Sequence, residues 1–258
     1  PKFAAEGSVG GAKALFGVPD GCNGEINAIA VAPSGLVYLG GYFTACDDAP
    51  ASRIASFNPR TRRFQALGRG ASNGVNSTVY ALAVSGDDLY VAGAFTQAGG
   101  QPANSIARWN GSSWSSLGTG IVPGVNNYIN ALAVSGGDLY VGGRFTQFGG
   151  QPANHIARWN GSSWSSLGTA TVNGVARDAG LASVNSLAIS GSDLYVGGAF
   201  TEAGGQPANR IARWDGTRWS SVGTGAANGI GAGASVNAIA VMGGDLYAGG
   251  QFTQAGGQ

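Results

Sequence analysis

Hydrophobic and polar residues alternate through most of this chain, and glycine interrupts the pattern every few positions. The segment that starts at Ile129 reads INALAVSGGDLYVGGRFT, with apolar side chains at every second residue on both sides of Ser-Gly-Gly-Asp. Alternation with a period of two is typical of half-buried β-strands, and glycine within it indicates turns and bulges. The pattern therefore predicts short strands joined by tight turns.

The same segment recurs along the chain. Three further copies begin at Val79, Val184 and Val236, and a more divergent copy begins at Ile26. Successive copies start 53, 50, 55 and 52 residues apart. A repeat of this length indicates tandem units that each pack on their neighbours.

Each unit is predicted to hold four antiparallel strands. The first two flank the Ser-Gly-Gly-Asp turn, while segments such as IARW and WSSLG flank an Asn-Gly or Asp-Gly dipeptide. We expect a two-residue hairpin at that dipeptide, with both central residues at positive φ, because this turn type matches the twist of the strands. Four such strands per tandem unit describe a blade of a β-propeller.

The sequence thus predicts an all-β fold, a five-bladed β-propeller that forms one domain over residues 1–258. In the last blade, strands from the N-terminus complete those at the C-terminus, because Glu6-Gly7 loosely matches the Asn-Gly turn of the other units. Such a closure would cover an open sheet edge. The predicted blades are 26–70, 79–120, 129–170, 184–225, and 236–258 together with 1–17.

The repeat also resembles a known type. The double glycine after the second strand and the aromatic pair in IARWNGSSW resemble kelch-type propeller repeats, closest to those of fungal cortical cell-polarity marker proteins and bacterial surface propellers. The resemblance covers nearly the whole chain and implies the fold. It implies little about activity, because propellers carry many unrelated functions. With a single histidine, the chain cannot supply the Cys-Tyr-His-His copper set of kelch-type oxidases.

Charge and hydropathy restrict the partners. Only 10% of the residues are charged and the net charge is +1, which argues against a nucleic-acid surface. No apolar stretch approaches the roughly 18 residues that span a membrane. With no initiator methionine and no signal peptide, the chain is expected to be a mature or excised one.

The two cysteines are predicted to form a disulfide. The first hairpin turns near Ser34, and Cys22 and Cys46 lie twelve residues before and after it. Antiparallel pairing would therefore place them opposite each other. A disulfide favours an oxidising compartment, so we expect an extracellular or cell-surface protein.

Catalytic residues are scarce in the sequence. His155 occupies a repeat position that holds Arg53, Ser105 or Arg210 in other units, so we interpret it as a solvent-facing side chain rather than a general base. No histidine and cysteine cluster has metal-ligand spacing, and no cofactor is expected.

Acidic residues could suggest a metal site instead. Asp47-Asp48 is a weak calcium signal. A recurrent aspartate after the first turn is expected to cap that turn through its own backbone. These aspartates are Asp88, Asp138, Asp193 and Asp245.

Tryptophan pairs flank three of the predicted hairpins. Such pairs can stack on sugar rings or pack between neighbouring blades, and we favour packing because Phe57 and Phe64 replace a pair in the first unit. The arginine before each first tryptophan is expected to make hydrogen bonds between blades. The pairs are 109/114, 159/164 and 214/219, and the arginines are Arg108, Arg158 and Arg213.

The GGQPAN loops are the better candidates for binding a ligand. In an up-and-down blade they emerge on the same face as the connections between blades, and their neutral amides can read hydroxyl groups. The alternative is that the same amides join adjacent loops to one another. The predicted ligand-binding residues are Gln97, Gln101, Asn104, Gln147, Gln151, Asn154, Gln206 and Asn209.

We therefore expect a secreted or cell-surface, non-enzymatic binding or adhesion module. Its expected partner is a glycan or a surface protein, contacted through the loop face. The alternative is a structural subunit of a filament, sheath or surface layer that assembles by strand addition. A third hypothesis is an enzyme fragment whose catalytic residues lie on another domain. The protein would be a monomer or a homopolymer.

Overall fold

A computed structural model describes residues 21–70, 73–118, 120, 128–169, 172–177, 181–223, 229–231 and 235–256. The predicted contribution of residues 1–17 to the last blade lies outside this range. The described residues form strands and turns without any helix, and none of them forms a helix that could cross a membrane.

Four sheets have four antiparallel strands each, as predicted from the repeat. The innermost strands are β1 (Glu25–Val31), β7 (Val79–Ser85), β13 (Tyr128–Ser135), β20 (Ser183–Ser190) and β26 (Ser235–Met242). The second strands are β2 (Val37–Tyr42), β8 (Asp88–Gly93), β14 (Asp138–Arg144), β21 (Asp193–Ala199) and β27 (Asp245–Gln251). The third strands are β5 (Ile54–Asn58), β11 (Ile106–Trp109), β17 (Ile156–Trp159) and β24 (Ile211–Trp214). The outer strands are β6 (Arg63–Ala66), β12 (Trp114–Ser116), β18 (Trp164–Ser166) and β25 (Trp219–Ser221).

Within each sheet the strands follow in chain order from the innermost strand to the outer one. We call the sheets blade one to blade four. Blade five consists of β26 and β27 within the described residues.

Small two-residue ladders, which the sequence pattern did not predict, occupy the GGQPAN loops and the equivalent segment of blade one, which reads DDAPAS. In three of them the two halves pair across the double glycine, as Ala98 does with Gln101, whereas in blade one they pair across Asp47-Asp48. Their strands are β3 (Ala45–Cys46) with β4 (Ala49–Pro50), β9 (Gln97–Ala98) with β10 (Gln101–Pro102), β15 (Gln147–Phe148) with β16 (Gln151–Pro152), and β22 (Glu202–Ala203) with β23 (Gln206–Pro207). The last ladder gains a third strand, β19 (Val175–Ala176).

The core lies between successive blades. Innermost strands pack side by side in the order β1, β7, β13, β20 and β26. One hydrophobic cluster joins blades one and two, and equivalent clusters join each later pair. Val79 and Val184, which lie in these clusters, have no exposed surface. Each blade therefore buries its apolar face only by contact with its neighbours.

Two different contacts explain the double glycine of the second strand. A side chain at Gly143 would overlap the Tyr128 carbonyl of its own blade, where the pairing of β13 with β14 shifts register. A side chain at Gly142 would instead overlap Val184 of the next blade. The second glycine thus permits the β-bulge, and the first permits close packing of blades.

The predicted disulfide is confirmed. Cys22 and Cys46 are bonded to each other, and their backbones form an antiparallel bridge. Cys46 is fully buried beside Phe43 and Ala51, so the disulfide anchors the chain that precedes β1 to the small ladder of blade one.

Candidate functional site

Tryptophan pairs join neighbouring blades at their outer rim. The rings of Trp109 and Trp114 lie 5.4 Å apart between centroids, and the other two pairs are similar. The Trp114 indole nitrogen donates to the Leu67 carbonyl of blade one at 2.8 Å. Trp164 and Trp219 repeat this bond to the preceding blade at 2.8 and 2.9 Å. The prediction that these residues pack between blades is confirmed.

The turn between each pair differs from the expected two-residue hairpin. Asn110 has an ordinary negative φ, and only Gly111 is left-handed, with φ at 90°. The Asn110 side-chain oxygen accepts the backbone N–H groups of Ser112 and Ser113 at 3.0 and 2.8 Å. The expectation that both central residues need positive φ was wrong, because asparagine shapes a longer turn through its side chain.

A groove lies on the rim where blade one meets blade two, and we call it the rim groove. Its volume is about 740 Å³. One wall comes from the end of β6, and the opposite wall comes from the β11–β12 hairpin with Gly99 of the loop ladder. The groove is lined by Ala66, Gly68, Arg69, Gly99, Trp109, Gly111, Ser112, Ser113 and Trp114.

The rim groove offers both hydrogen-bond acceptors and hydrogen-bond donors to a ligand. The hydroxyls of Ser112 and Ser113 donate to the Asn110 side chain at 2.9 and 3.2 Å, which leaves their lone pairs free to accept from a ligand. The exposed guanidinium of Arg69 supplies donors from the opposite wall. Together with the half-buried Trp114, this set suits a molecule with hydroxyl groups and apolar ring faces.

The β17–β18 hairpin repeats the same turn, whereas the turn of the β24–β25 hairpin holds two charged residues of opposite sign, Asp215 and Arg218. Ser162 and Ser163 bind Asn160 as their counterparts bind Asn110. In blade four the equivalent acceptor is Asp215, whose pKa is lowered to about 2 by the backbone N–H groups of Arg218 and Thr217. Asp215 therefore keeps its negative charge at physiological pH, and Arg218 of the same turn carries a positive charge.

The glutamines predicted to bind a ligand are exposed but do not converge within one loop. Gln97 pairs with Pro102 across the ladder, and Gln101 pairs with Ala98. Opposite residues of a ladder share a face and adjacent ones do not, so Gln97 and Gln101 point to opposite faces. Gln147, Gln151 and Gln206 are also exposed.

The predicted asparagines are half-buried and join neighbouring loops. Asn154 donates its side-chain amide to the Asn173 carbonyl at 3.2 Å, while its backbone N–H donates to the Asn173 side chain at 3.0 Å. Asn104 and Asn209 are engaged as well. Ligand binding by these amides stays a prediction, and the loop-joining alternative describes the contacts of Asn154.

The position of His155 is determined by its left-handed backbone conformation, contrary to our interpretation of a solvent-facing side chain. His155, Arg53, Ser105 and Arg210 all have φ between 61° and 65°. The His155 N–H donates to Phe145 at 2.8 Å and its carbonyl accepts from Gly143 at 3.0 Å. Ser105 and Arg210 are buried. The side chain varies among blades because the left-handed backbone makes these contacts.

His155 itself remains neutral near physiological pH. Burial, with a smaller effect from the nearby Arg144 guanidinium, lowers its pKa to about 4. Its Nδ1 atom is buried and makes no hydrogen bond to any residue of the described part of the chain.

The recurrent aspartates pair with arginines of the same blade. Asp138 lies 2.7 Å from the Arg158 guanidinium. Asp88 with Arg108 and Asp193 with Arg213 repeat this at 2.8 and 2.7 Å. The expected inter-blade bonding by these arginines was therefore wrong, because each pairs within its own blade, whereas turn capping by the aspartates stays a prediction. By strand register, nonpolar Leu36 and neutral Ser56 occupy these positions in blade one.

Asp47 and Asp48 lie near two arginines and not within a set of metal ligands. They line a small pocket of about 290 Å³ with Arg62 and Arg63. Across the described ranges, no three His, Cys, Asp or Glu side chains are grouped to hold a metal ion.

Comparison with known proteins supports the fold. A family model described as "Domain of unknown function (DUF5122) beta-propeller" matches residues 88–112, 137–165 and 193–214, which lie in three consecutive repeats. A comparison with curated proteins finds no relative that matches.

Two solved structures of the extracellular domain of BT4673 from B. thetaiotaomicron are similar. In the first, described as part of a hybrid two component system, the TM-score is 0.54 at 16% identity, with 88% of this chain and 25% of that chain covered. In the second, described as part of a one component system, the values are 0.52, 13%, 88% and 26%. This chain thus spans about a quarter of their length. The four-stranded blades, the matching family model and these neighbours together identify the fold as a β-propeller.

Proposed function

We propose that this protein is a secreted or cell-surface binding module without catalytic activity of its own, and that its ligand is a glycan. The similar solved structures are extracellular domains and the chain holds a disulfide, both of which are consistent with an extracellular location. We also propose that the repeats are of the kelch type.

The rim groove is the observation that carries the proposal. Its tryptophan surface can contact the apolar face of a sugar, and Ser112, Ser113 and Arg69 can accept and donate hydrogen bonds to hydroxyls. The described residues of its lining include no Asp, Glu or His, so they offer no carboxylate or imidazole as a general acid or base.

A glycan-array screen followed by calorimetry tests the proposal. We expect at least one neutral or weakly anionic glycan to bind, and Arg69→Met to weaken binding about tenfold, as the loss of a charged hydrogen bond implies. Arg60→Met is the matched control, because Arg60 is also exposed but lies on the turn of blade one outside the groove.

Three results would contradict this proposal. The first is an array without binding. The second is equal weakening by both arginine variants. The third is binding lost through Gln101→Ala and Gln151→Ala but unaffected by Arg69→Met, which would move the site to the loop face.

A structural subunit that assembles by strand addition is the second candidate. It is favoured by the outer edge of β27, because β27 pairs with β26 alone among the described residues, whereas other second strands also pair with a third strand. An unpaired edge can accept a strand from another molecule. Electron microscopy at high protein concentration should then reveal fibres, and their absence would remove this candidate.

A further inference from the structure

Six asparagines of this chain precede a glycine, and their surroundings differ. An Asn-Gly dipeptide is chemically labile, because the glycine nitrogen can attack the side-chain carbonyl carbon of the asparagine when both groups are accessible. Asn228 lies outside the described residues, and the other five fall into two groups by what they contact. The dipeptides begin at Asn23, Asn73, Asn110, Asn160, Asn173 and Asn228.

The first group contains asparagines that are held at the reacting groups. The Gly74 N–H donates to the Leu67 carbonyl at 2.9 Å, and the Asn73 side-chain amide donates to the Pro50 carbonyl at 2.7 Å. The glycine N–H after Asn173, which is buried, donates to a leucine carbonyl in the same way at 2.8 Å. Attack by either glycine nitrogen would first have to break these bonds.

Asn23 belongs to the same group because a distant segment anchors it. Its side-chain amide donates to the Thr44 hydroxyl at 2.9 Å. Its side-chain oxygen accepts the N–H groups of Thr44 and Ala45 at 2.9 and 3.1 Å. A movement of the side chain toward its own glycine would break all three bonds.

The second group, Asn110 and Asn160, lacks these restraints. Both residues are exposed, and their side-chain amides make no hydrogen bond to any described residue. The N–H groups of Gly111 and Gly161 are also without a partner in the described part of the chain. A side chain added at either glycine would meet nothing within 4 Å, so water can reach the turn.

The side-chain oxygen of Asn110 is surrounded by hydrogen-bond donors of its own turn. It accepts the N–H groups of Ser112 and Ser113 at 3.0 and 2.8 Å and their hydroxyls at 2.9 and 3.2 Å. The oxygen of Asn160 accepts the same four groups at 3.0, 2.9, 2.9 and 3.4 Å. Attack on the carbonyl carbon moves negative charge onto this oxygen, and donors already directed at it stabilise that charge.

Blade four shows that the turn accommodates an aspartate. Asp215 stands at the position of Asn110, and its carboxylate accepts the N–H groups of Thr217 and Arg218 at 2.8 and 2.7 Å. Its own N–H donates to the Arg218 carbonyl at 3.2 Å, as the Asn110 N–H does to Ser113. Conversion of the asparagine to aspartate is therefore compatible with the turn.

We propose that Asn110 and Asn160 are sites of self-modification by deamidation, with water as the co-reactant. The Gly111 nitrogen bonds to the side-chain carbonyl carbon of Asn110. The bond from that carbon to the amide nitrogen breaks, and ammonia leaves with the proton of the Gly111 N–H. Water then opens the resulting succinimide ring at either carbonyl, which gives aspartate or isoaspartate. Gly161 acts on Asn160 in the same way, so each event adds a negative charge to the outer rim.

Peptide mass spectrometry of the whole protein, stored folded at mildly alkaline pH, tests this inference. We expect Asn110 and Asn160 to deamidate about tenfold faster than Asn23, Asn73 and Asn173, because one hydrogen bond that must break has about this effect on a rate. In the urea-unfolded chain the contacts are absent, so the five rates should converge. Equal rates in the folded protein would overturn the inference.

The serine hydroxyls of the turn provide a sharper measurement. Ser112→Ala combined with Ser113→Ala removes two of the four donors to Asn110, while Asn160 keeps all of its own and serves as a reference within the same molecule. We expect deamidation of Asn110 to slow by about twofold to tenfold relative to Asn160. Circular dichroism would establish that the variant is folded.

An unchanged or faster rate at Asn110 in this variant would overturn the inference, because the hydroxyls would then not activate the side chain. Both measurements are made without any glycan. This inference and the proposed function can therefore fail separately.

Discussion

Single residues in this protein are constrained by close contacts with the backbone of their own blade and with side chains of the next blade. In blade three, Gly143 leaves space for a carbonyl of its own blade. Gly142 leaves space for a side chain of the next blade. The sequence shows only that both recur. Their separate reasons depend on the packing of neighbouring blades, which no single repeat contains.

Substitution of Gly142 should therefore destabilise the fold. We expect Gly142→Ala to lower the free energy of unfolding by about 1–3 kcal/mol, because the added methyl overlaps Val184 in a filled interface. Gly249→Ala is the matched control and should have little effect, since space is open there in the described structure. Urea unfolding of both variants would measure the difference, and equal losses would contradict the packing assignment.

The buried histidine should make stability depend on pH. The pKa of His155 is about 4 in the folded state, whereas the unfolded chain has the ordinary histidine pKa of 6.5, so between these values the unfolded chain binds the extra proton. The free energy of unfolding should fall as the pH decreases from about 6.5 toward about 4, by at most about 1.4 kcal/mol per pH unit. Above about pH 6.5 this contribution is constant.

His155→Ser is the test, because serine occupies the equivalent left-handed position at Ser105. Urea unfolding between about pH 7 and about pH 5 should show a shallower decrease for the variant than for the wild type. Identical slopes would indicate that His155 is hydrated and titrates normally in the folded protein.

At the scale of strands and turns, most of the architecture could be predicted from the sequence. Alternation indicated four strands for each blade, and the order observed in blades one to four agrees. The small loop ladders were missed because strands of two residues, such as Gln97–Ala98, are too short for periodicity to reveal. The pairing of Asp138 with Arg158 was missed because it requires the register of β14 against β17.

The second tryptophan of each pair should matter through its indole nitrogen. Trp164→Phe removes the bond to the Leu117 carbonyl, so we expect a loss of about 1 kcal/mol from the missing hydrogen bond in addition to lost packing. Trp159→Phe serves as the comparison, because it replaces the other indole of the same pair by a phenyl ring and leaves this bond between blades intact. Chemical denaturation should rank Trp164→Phe as the more destabilised, and the reverse order would contradict the assignment.

The disulfide should stabilise blade one measurably. The double substitution of Cys22 and Cys46 to serine opens a loop with a sequence separation of 24, which the loop-entropy description values at about 3 kcal/mol. Urea unfolding with and without reductant should show a reductant-dependent wild type and a variant that does not respond. An unchanged wild type under full reduction would refute this contribution.

At the scale of the molecule, stability comes from contacts between successive blades. The rim groove has the same origin, because its walls belong to blades one and two. From the sequence alone, contact between the tryptophans and a sugar was only an alternative to packing between blades. The groove needs both blades in their relative positions, and the serine acceptors of the turn gave no separate signal.

Protection against hydrogen exchange should follow position in the series of blades. The hairpin of β26 and β27 has nearly the sequence of the hairpin of β13 and β14, but many of its side chains are exposed. We expect its amides to exchange faster in dilute solution, as measured by mass spectrometry of peptides. Equal exchange in the two hairpins would contradict this expectation.

The packing of a valine of one blade over a glycine of the preceding blade has a consequence for how such a protein can change its number of repeats. In blade four, Val184 lies in the first strand, and Gly197, over which Val236 packs, lies in the second strand after one short turn. A duplicated repeat therefore inherits a matching surface on each side, and it can be inserted between two existing blades without new complementary mutations. Changes in repeat number are thus open to gene duplication alone, while the hairpins at the rim can diverge independently.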